Sequence, residues 1–281
     1  MSTRNGRVDL HLHTTRSDGH YSPRQLIDKL AAFEFQAVAI SDHDEIGAIS
    51  EVRSYAQTRG IEVIPGVELS VDFGGRDIHV LGYCFDPEHE EFLNYLSVLR
   101  NERIRRARKI VNKLSDLGMP LPFDQVLEKA GAGSIGRPHI AFALLDHGYV
   151  ESFKEAFNKY IGDGKPAYVG KFSIDIKQAL RTIKSAGGLC SIAHPGLQLS
   201  TQDLMLLIKT GVSAIEVVHP KHDEEHTRFY AQFAAEHGLL STGGSDFHGG
   251  NKGEEALGRY TVSYDVVQEM KQQAEFYRNE N

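Results

Sequence analysis

VDLHLHTTRSDGHYSPRQLIDKLAAF, Val8–Phe33, reads as one strand, one polar loop and one helix. Side chains at i and i+2 of a strand share a face, so His11 and His13 point the same way at its end. Asp18 follows five residues later in the loop. Ser22 and Pro23 then supply an N-cap and a first-turn proline for a helix to about Phe33. The stretch is a βα unit that carries its polar residues where the strand ends.

The unit recurs. AVAISDHD is a second strand, followed by a helix over about 45–59 that Gly60 closes, and IEVIPGVELSV is a third strand. FGGRDIHVLGY continues it through a Gly74-Gly75 turn as a hairpin. Further along come helices near 175–186, 202–210 and 223–237, interleaved with GGLCSIAHP, AIEVVHP and GLLSTGGSDFH. Arg259 and Tyr260 in LGRYTV introduce a last strand, with a final helix to about Phe276. Repeated βα units predict an α/β fold with a parallel sheet or barrel, whose active site lies at the C-terminal strand ends.

Residues of about 86–168 have another texture. A long amphipathic pattern through RNERIRRARK ends at Gly118, and FDQVLEKA, GRPHIAFALLDHG and ESFKEAFNKYI read as shorter helices. The expected organisation is a barrel from 1–85 and 169–281, with 86–168 inserted as a helical cap subdomain over its mouth. Five arginines fall within Arg100–Arg108. With Ile104, Ala107 and Ile110 marking the buried stripe, they cannot all face one ligand, and one or two are expected at the cleft.

The chain has 281 residues, a net charge of -7 and a pI near 6.1, which argues against a non-specific nucleic-acid or membrane binder. Its two cysteines, Cys84 and Cys190, form no CxxC pair, so neither a disulfide framework nor a thiolate zinc site is expected. No apolar run of about 18 residues and no signal-peptide pattern appear, so the reading is a soluble cytoplasmic protein with no membrane contact and no evident obligate protein partner. Fourteen histidines against no tryptophan point to metal or acid/base chemistry.

The polar residues at the strand ends and turns are His11, His13, Asp18, His43, Glu68, His79, His194, Asp246 and His248. One ion takes about four to six ligands, so this set predicts two or three divalent ions sharing a carboxylate. Nitrogen and oxygen donors without thiolate suit Mn2+, Zn2+ or Fe2+. Such clusters lower the pKa of water toward neutrality and clamp the oxygens of a phosphoryl displacement, so phosphate-ester hydrolysis is the expected reaction.

DLHLHTTRSDG, SDHD, AHP and GSDFH, in that order, resemble the four motifs of the PHP (polymerase and histidinol phosphatase) family of metal-dependent phosphoesterases. The resemblance implies a distorted (β/α)7 barrel with a trinuclear metal centre at its C-terminal face. By it, His11, His13, Glu68 and Asp246 hold one metal, Glu68 bridges to a second held by His79 and His194, and Asp18, His43 and His248 hold the third. GRPHIA followed by AFNKYIGDGKPAYV resembles the branch that includes nucleoside 3′,5′-bisphosphate phosphatases and 5′ to 3′ exoribonucleases acting on short RNA. Small nucleotides or short RNA are then the expected substrates, attacked by a metal-activated hydroxide. Arg137 and His139 match that branch's substrate-facing positions; Lys165 is a further candidate for neutralising phosphate.

His194 or His222 is a candidate proton donor to the leaving alcohol, and His222 is preferred to His219 as a substrate contact. Asp44 is expected to orient a ligand or cap a helix. Two alternatives stay open: a histidinol-phosphate-type small-molecule phosphatase, against which the helical insertion argues, and a non-catalytic accessory or binding module, against which the complete ligand set argues.

Overall fold

The computed structural model describes residues 6–172, 174–196, 198–250 and 253–280. The first half of the barrel is β1 (Arg7–Leu12), α1 (Pro23–Ala31), β2 (Phe35–Ile40), α2 (Gly47–Thr58), β3 (Glu62–Phe73) and β4 (Arg76–Tyr83). Ser22 caps α1 in a reciprocal box with Gln25, as its Ser-Pro start predicts. Gly74 and Gly75, at φ 62° and 81°, make the tight turn that returns β4 antiparallel along β3.

Helices alone follow: α3 (Glu90–Asp116), α4 (Phe123–Ala130), α5 (Arg137–Asp146) and α6 (Phe153–Ala156), which runs into a π-helical turn at Phe157–Ile161. They bury their own apolar cluster, built on Ile110, Leu114, Val126, Ile140, Leu144 and Ile161. Ile104 corrects the expected stripe. It is 36 % exposed, and the buried face of α3 runs instead through Leu96, Leu99, Ala107, Ile110, Val111 and Leu114.

The barrel resumes with α7 (Ile176–Ser185), β5 (Leu189–Ile192), α8 (Thr201–Thr210), β6 (Ala214–Val218), α9 (Glu224–His237) and β7 (Leu240–Gly243), then β8 (Val262–Ser263) and α10 (Tyr264–Glu280). The final helix thus runs beyond Phe276. The strands order as β7-β6-β5-β4-β3-β2-β1-β8, with β4 antiparallel to both its neighbours and β8 antiparallel to β1. Residues after β7 close the ring: the Phe247 carbonyl accepts from His13 N–H at 3.0 Å, and Leu12 bridges Phe247 in parallel. Gly244 permits that closure, because a Cβ there would stand 2.5 Å from His11 Cβ. The result is a distorted, nearly closed barrel. Helix α10 packs on β2, β5, β7 and β8, strands from opposite sides of the ring, and so plugs the end where β1 begins. No helix among the described residues is long and apolar enough to cross a membrane.

Candidate metal centre

At the opposite mouth the strand-end residues converge. Val8 and Leu10 of β1 pack with Ala37, Ala39 and Ile64 under α10, Leu12 joins the other apolar cluster, and a register shift between Asp9 and Leu12 interrupts the alternation where His11 enters the polar site. Glu68 sits at the centre, 1 % exposed. Its Oε2 faces His43 Nδ1 at 3.1 Å, His13 Nε2 at 3.4 Å and His11 Nε2 at 3.5 Å. Its Oε1 faces the other way, 2.6 Å from His79 Nδ1 and 3.1 Å from His194 Nε2. One carboxylate therefore serves two groups of imidazoles, which is the geometry of a bridge.

Asp246 Oδ1 stands 3.5 Å from His11 Nε2 and 3.3 Å from His13 Nε2. Asp18 Oδ1 lies 3.2 Å from His248 Nε2, 3.9 Å from His43 Nε2 and 4.0 Å from His13 Nδ1. Donor atoms of His11, His13, Glu68 and Asp246 all fall within 4.8 Å of one another, as do those of His13, Asp18, His43 and His248. His43, expected with Asp18 and His248, also groups with Glu68 and His79. All nine expected ligand residues thus meet at one rim, with His43 standing between two groups.

Electrostatics describe a cluster short of cations. Burial would raise the Glu68 carboxyl, but the imidazoles of His43, His79 and His11 outweigh it and hold the group well below the usual range. Burial would likewise lower His248, yet Asp18 lifts it to about 9. His11 Nε2, both ring nitrogens of His13, Asp18 Oδ1, His43 Nδ1 and Glu68 Oε2 are buried without a hydrogen-bond partner. Orphaned buried polar atoms are costly, and six of them aimed at common points fit divalent ions.

A layer of buried polar side chains behind these residues orients them. Glu216, fully buried on β6, places Oε1 3.0 Å from His11 Nδ1 and accepts from the His194 backbone N–H on Oε2 at 2.6 Å. Hydrogen bonding at Nδ1 leaves His11 Nε2 to face the cluster. Asp42 accepts from Thr14 N–H, Thr14 Oγ1 and Ser17 Oγ, and so fixes the loop that presents Asp18. Burial pushes the carboxyls of Asp42 and Asp9 up to about 7. Asp44, His194 and Asp246 adopt φ of 53°, 25° and 49°, a region that costs non-glycine residues about 1–3 kcal/mol. Such conformations persist only where surrounding bonds over-determine them.

The remaining candidates divide. Asp44 pairs with Arg103 of α3 at 2.5 Å, and Glu45 beside it pairs with Arg100 at 2.6 Å while accepting from Ile46 and Gly47 N–H. Arg105 is 72 % exposed and Arg108 lies over the Phe123 ring, so Arg103 and Arg106 are the members of the run that turn inward. Arg137 opens α5, pairs with Asp163 at 2.5 Å and lies over Phe157 and Tyr168.

Three further candidates are placed as follows. His139 is buried, and its Nδ1 accepts from Gly136 N–H at 2.9 Å and so caps α5, while burial lowers its imidazole against the opposing charge of Asp18 nearby. Lys165 is exposed on its loop and lines none of the clefts beside the cluster. His222 has Nδ1 on the Val217 carbonyl at 3.0 Å and Nε2 accepting from Gly196 N–H at 3.2 Å, so neither nitrogen is free for a substrate. His219, passed over, is the one that reaches the cluster: fully buried at its side chain, its Nε2 is 3.3 Å from Asp246 Oδ2. Lys171 and Glu216 were also missed. Glu216 was legible as a carboxylate inside an otherwise apolar strand, AIEVV.

Comparison with known proteins agrees with this geometry. The PHP domain family model matches residues 9–184, and the chain belongs to that family. It is 34 % identical to the 3′,5′-nucleoside bisphosphate phosphatase of Chromobacterium violaceum, over 89 % of this chain and 90 % of that one. It is 36 % identical to a 5′-3′ exoribonuclease of Haemophilus influenzae, over 86 % and 90 %. A solved structure from Bifidobacterium adolescentis, assigned as a metal-dependent phosphoesterase, superposes with a TM-score of 0.87 at 31 % identity, over 95 % and 96 % of the two chains.

Proposed function

We propose that the protein is a divalent-metal phosphoesterase acting on nucleotides, with the 3′-phosphate of nucleoside 3′,5′-bisphosphates as its leading substrate. The observation that carries this is the set of six buried, unpartnered nitrogen and oxygen atoms facing one another at the barrel mouth. In this reading two or three ions, Mn2+, Zn2+ or Fe2+, share the donors. His11, His13, Glu68 and Asp246 hold the first, Glu68, His79 and His194 the second, and Asp18, His43 and His248 the third. Bound there, the ions acidify water and offset charge on the phosphoryl group.

The chain's own residues do the rest. Glu68 and Asp246 stay ionised, because the imidazoles around them outweigh burial. Glu216 and His219 hold His11 and Asp246 in place from behind. Arg137 grips the phosphate that is not cleaved, with guanidinium geometry suited to a bidentate hold. With Nε2 on Glu68, His194 stands among the ligands rather than as a free proton donor. Residues 86–168 act as an inserted recognition cap. A reducing cytoplasm suits the free cysteines Cys84 and Cys190.

A second reading, short 5′-phosphorylated RNA, rests on the exoribonuclease relative and uses the same arginine for the 5′-phosphate. The test is phosphate release from adenosine 3′,5′-bisphosphate by protein loaded with Mn2+, with a short 5′-phosphorylated RNA and histidinol phosphate in parallel. Release of 5′-AMP from the bisphosphate supports the leading reading. Stepwise nucleotide release from RNA alone favours the second, and no turnover of any phosphoester at full metal occupancy overturns both.

A further inference from the structure

Helix α3 belongs to both parts of the molecule. It packs Phe92, Leu96 and Leu99 into the barrel core and Ile110, Val111 and Leu114 into the cap core. At the seam between them, two of its arginines reach the loop that follows β2. Arg100 pairs with Glu45 at 2.6 Å and Arg103 pairs with Asp44 at 2.5 Å. The second pair is the buried one: the Asp44 side chain is 4 % exposed and that of Arg103 17 %, against 36 % for Arg100 and 76 % for Asp163 on Arg137. Solvent therefore competes least for Arg103 and Asp44.

Asp44 stands next to His43 and against Glu68. Glu68 N–H donates to the Asp42 carbonyl at 3.2 Å, and Asp44 N–H donates to the Glu68 carbonyl at 3.1 Å. His43 and Glu68 thus form a parallel bridge in register. At Asp44 the chain turns out of that ladder with φ at 53°, a conformation that non-glycine residues keep only where their surroundings hold it. Arg103 supplies the hold on the side chain: its Nε donates to Asp44 Oδ2, while Oδ1 is buried with no hydrogen-bond partner among the described residues. His43 is also the ligand that stands between two groups of donors, so a small rotation there is felt by both.

We infer that Arg103 is a positioning residue of the metal centre: through Asp44 it fixes the aim of His43 and its register with Glu68, and so makes metal affinity depend on the cap helix that carries it. This rests on the reading of the cluster as a divalent-metal site. By linkage the dependence runs both ways, so an ion bound at His43 also steadies α3.

The test is calorimetric titration of Mn2+ into the apoprotein, with metal content measured by mass spectrometry. Arg103→Gln is expected to weaken uptake by about tenfold, the lower end of what groups standing behind metal ligands carry. By charge alone, removing a cation from beside the cluster would tighten binding, so a weakening reports position. Arg103→Lys should recover part of the loss. Arg100→Ala, which loosens the same helix without touching Asp44, should stay within about twofold of the unaltered protein. Asp44→Asn should match Arg103→Gln, and the double variant, which leaves no buried charge unpaired, should be no worse than either single one. Hydrogen exchange in α3 should slow on Mn2+ binding in the unaltered protein and not in Arg103→Gln. Unchanged affinity in Arg103→Gln, an equal loss in Arg100→Ala, or losses that add in the double variant overturn the positioning role. A protein that takes up no divalent ion at all overturns the metal reading and the positioning role with it. Metal uptake that depends on Arg103, with no hydrolysis of any phosphoester, keeps the positioning role and overturns the phosphoesterase reading.

Discussion

The barrel rim and the cap cleft handle charge in opposite ways. At the rim, Asp9, His11, His13, Asp42, Glu68 and Glu216 are all at most 1 % exposed, and the strands and their tied-down loops fix their directions. At the cleft, Arg137 at the start of α5 and Lys171 ahead of α7 rest on carboxylates that solvent reaches, Asp163 and Asp77. Buried polar groups that lack partners carry a large penalty, so the rim is arranged for ligands that stay. Exposed pairs exchange partners at little cost, so the cleft is arranged for a ligand that comes and goes. Chemistry and selectivity should therefore separate under mutation.

The largest effect that would break this contrast is at Glu68. Its two oxygens face two imidazole groups, so Glu68→Ala should remove more than one ion and lower kcat by about 10³ or more. Metal content by mass spectrometry should fall together with activity. An alanine variant that keeps full metal content would show that Glu68 bridges nothing.

Next in size is Glu216→Gln. Glu216 accepts on both oxygens, from the His11 ring and from the His194 backbone N–H, and an amide offers only one acceptor. One of the two contacts must then meet a donor. Outer carboxylates of this kind carry about 10–100-fold in metal affinity. Titration of metal into the apoprotein should show that weakening, with circular dichroism unchanged. An unchanged affinity would place the order of the rim in the strands alone.

The rim was legible from the sequence because strand geometry is periodic. HLH must aim two imidazoles one way, and a βα repeat must bring strand ends to one mouth, so His11, His13, Glu68 and Asp246 were identifiable by position. The tautomer-fixing partners were less so: Glu216 and His219 act across the barrel, and no local spacing links β6 to β1. The cap was harder still. Ile104 lies on a helix whose apolar stripe is broad, and which edge is buried depends on what packs against it. His139 matched a motif position, and the bond of its Nδ1 to the start of its own helix is one that the sequence G-R-P-H allows but does not require.

The smallest effect is expected at His222, and it decides whether the rim's outer edge is structural. Both ring nitrogens are held by backbone, with Nδ1–H donating to the Val217 carbonyl and Nε2 accepting from Gly196 N–H. Tyr230 donates its hydroxyl to the carbonyl of the same glycine, so the turn after His194 is gripped on both sides. His222→Phe keeps the ring's bulk and strips both bonds, leaving a backbone N–H and C=O short of partners. That should cost about 1–3 kcal/mol of stability by denaturant titration. It should lower kcat only a few-fold, through a small displacement of His194. A proton donor in catalysis, by contrast, contributes about 10²–10⁴, and its removal abolishes the limb of the pH–rate profile that it governs. A loss of that size, with the limb gone, would return His222 to the chemistry. A few-fold loss with both limbs intact places the proton transfer at another group.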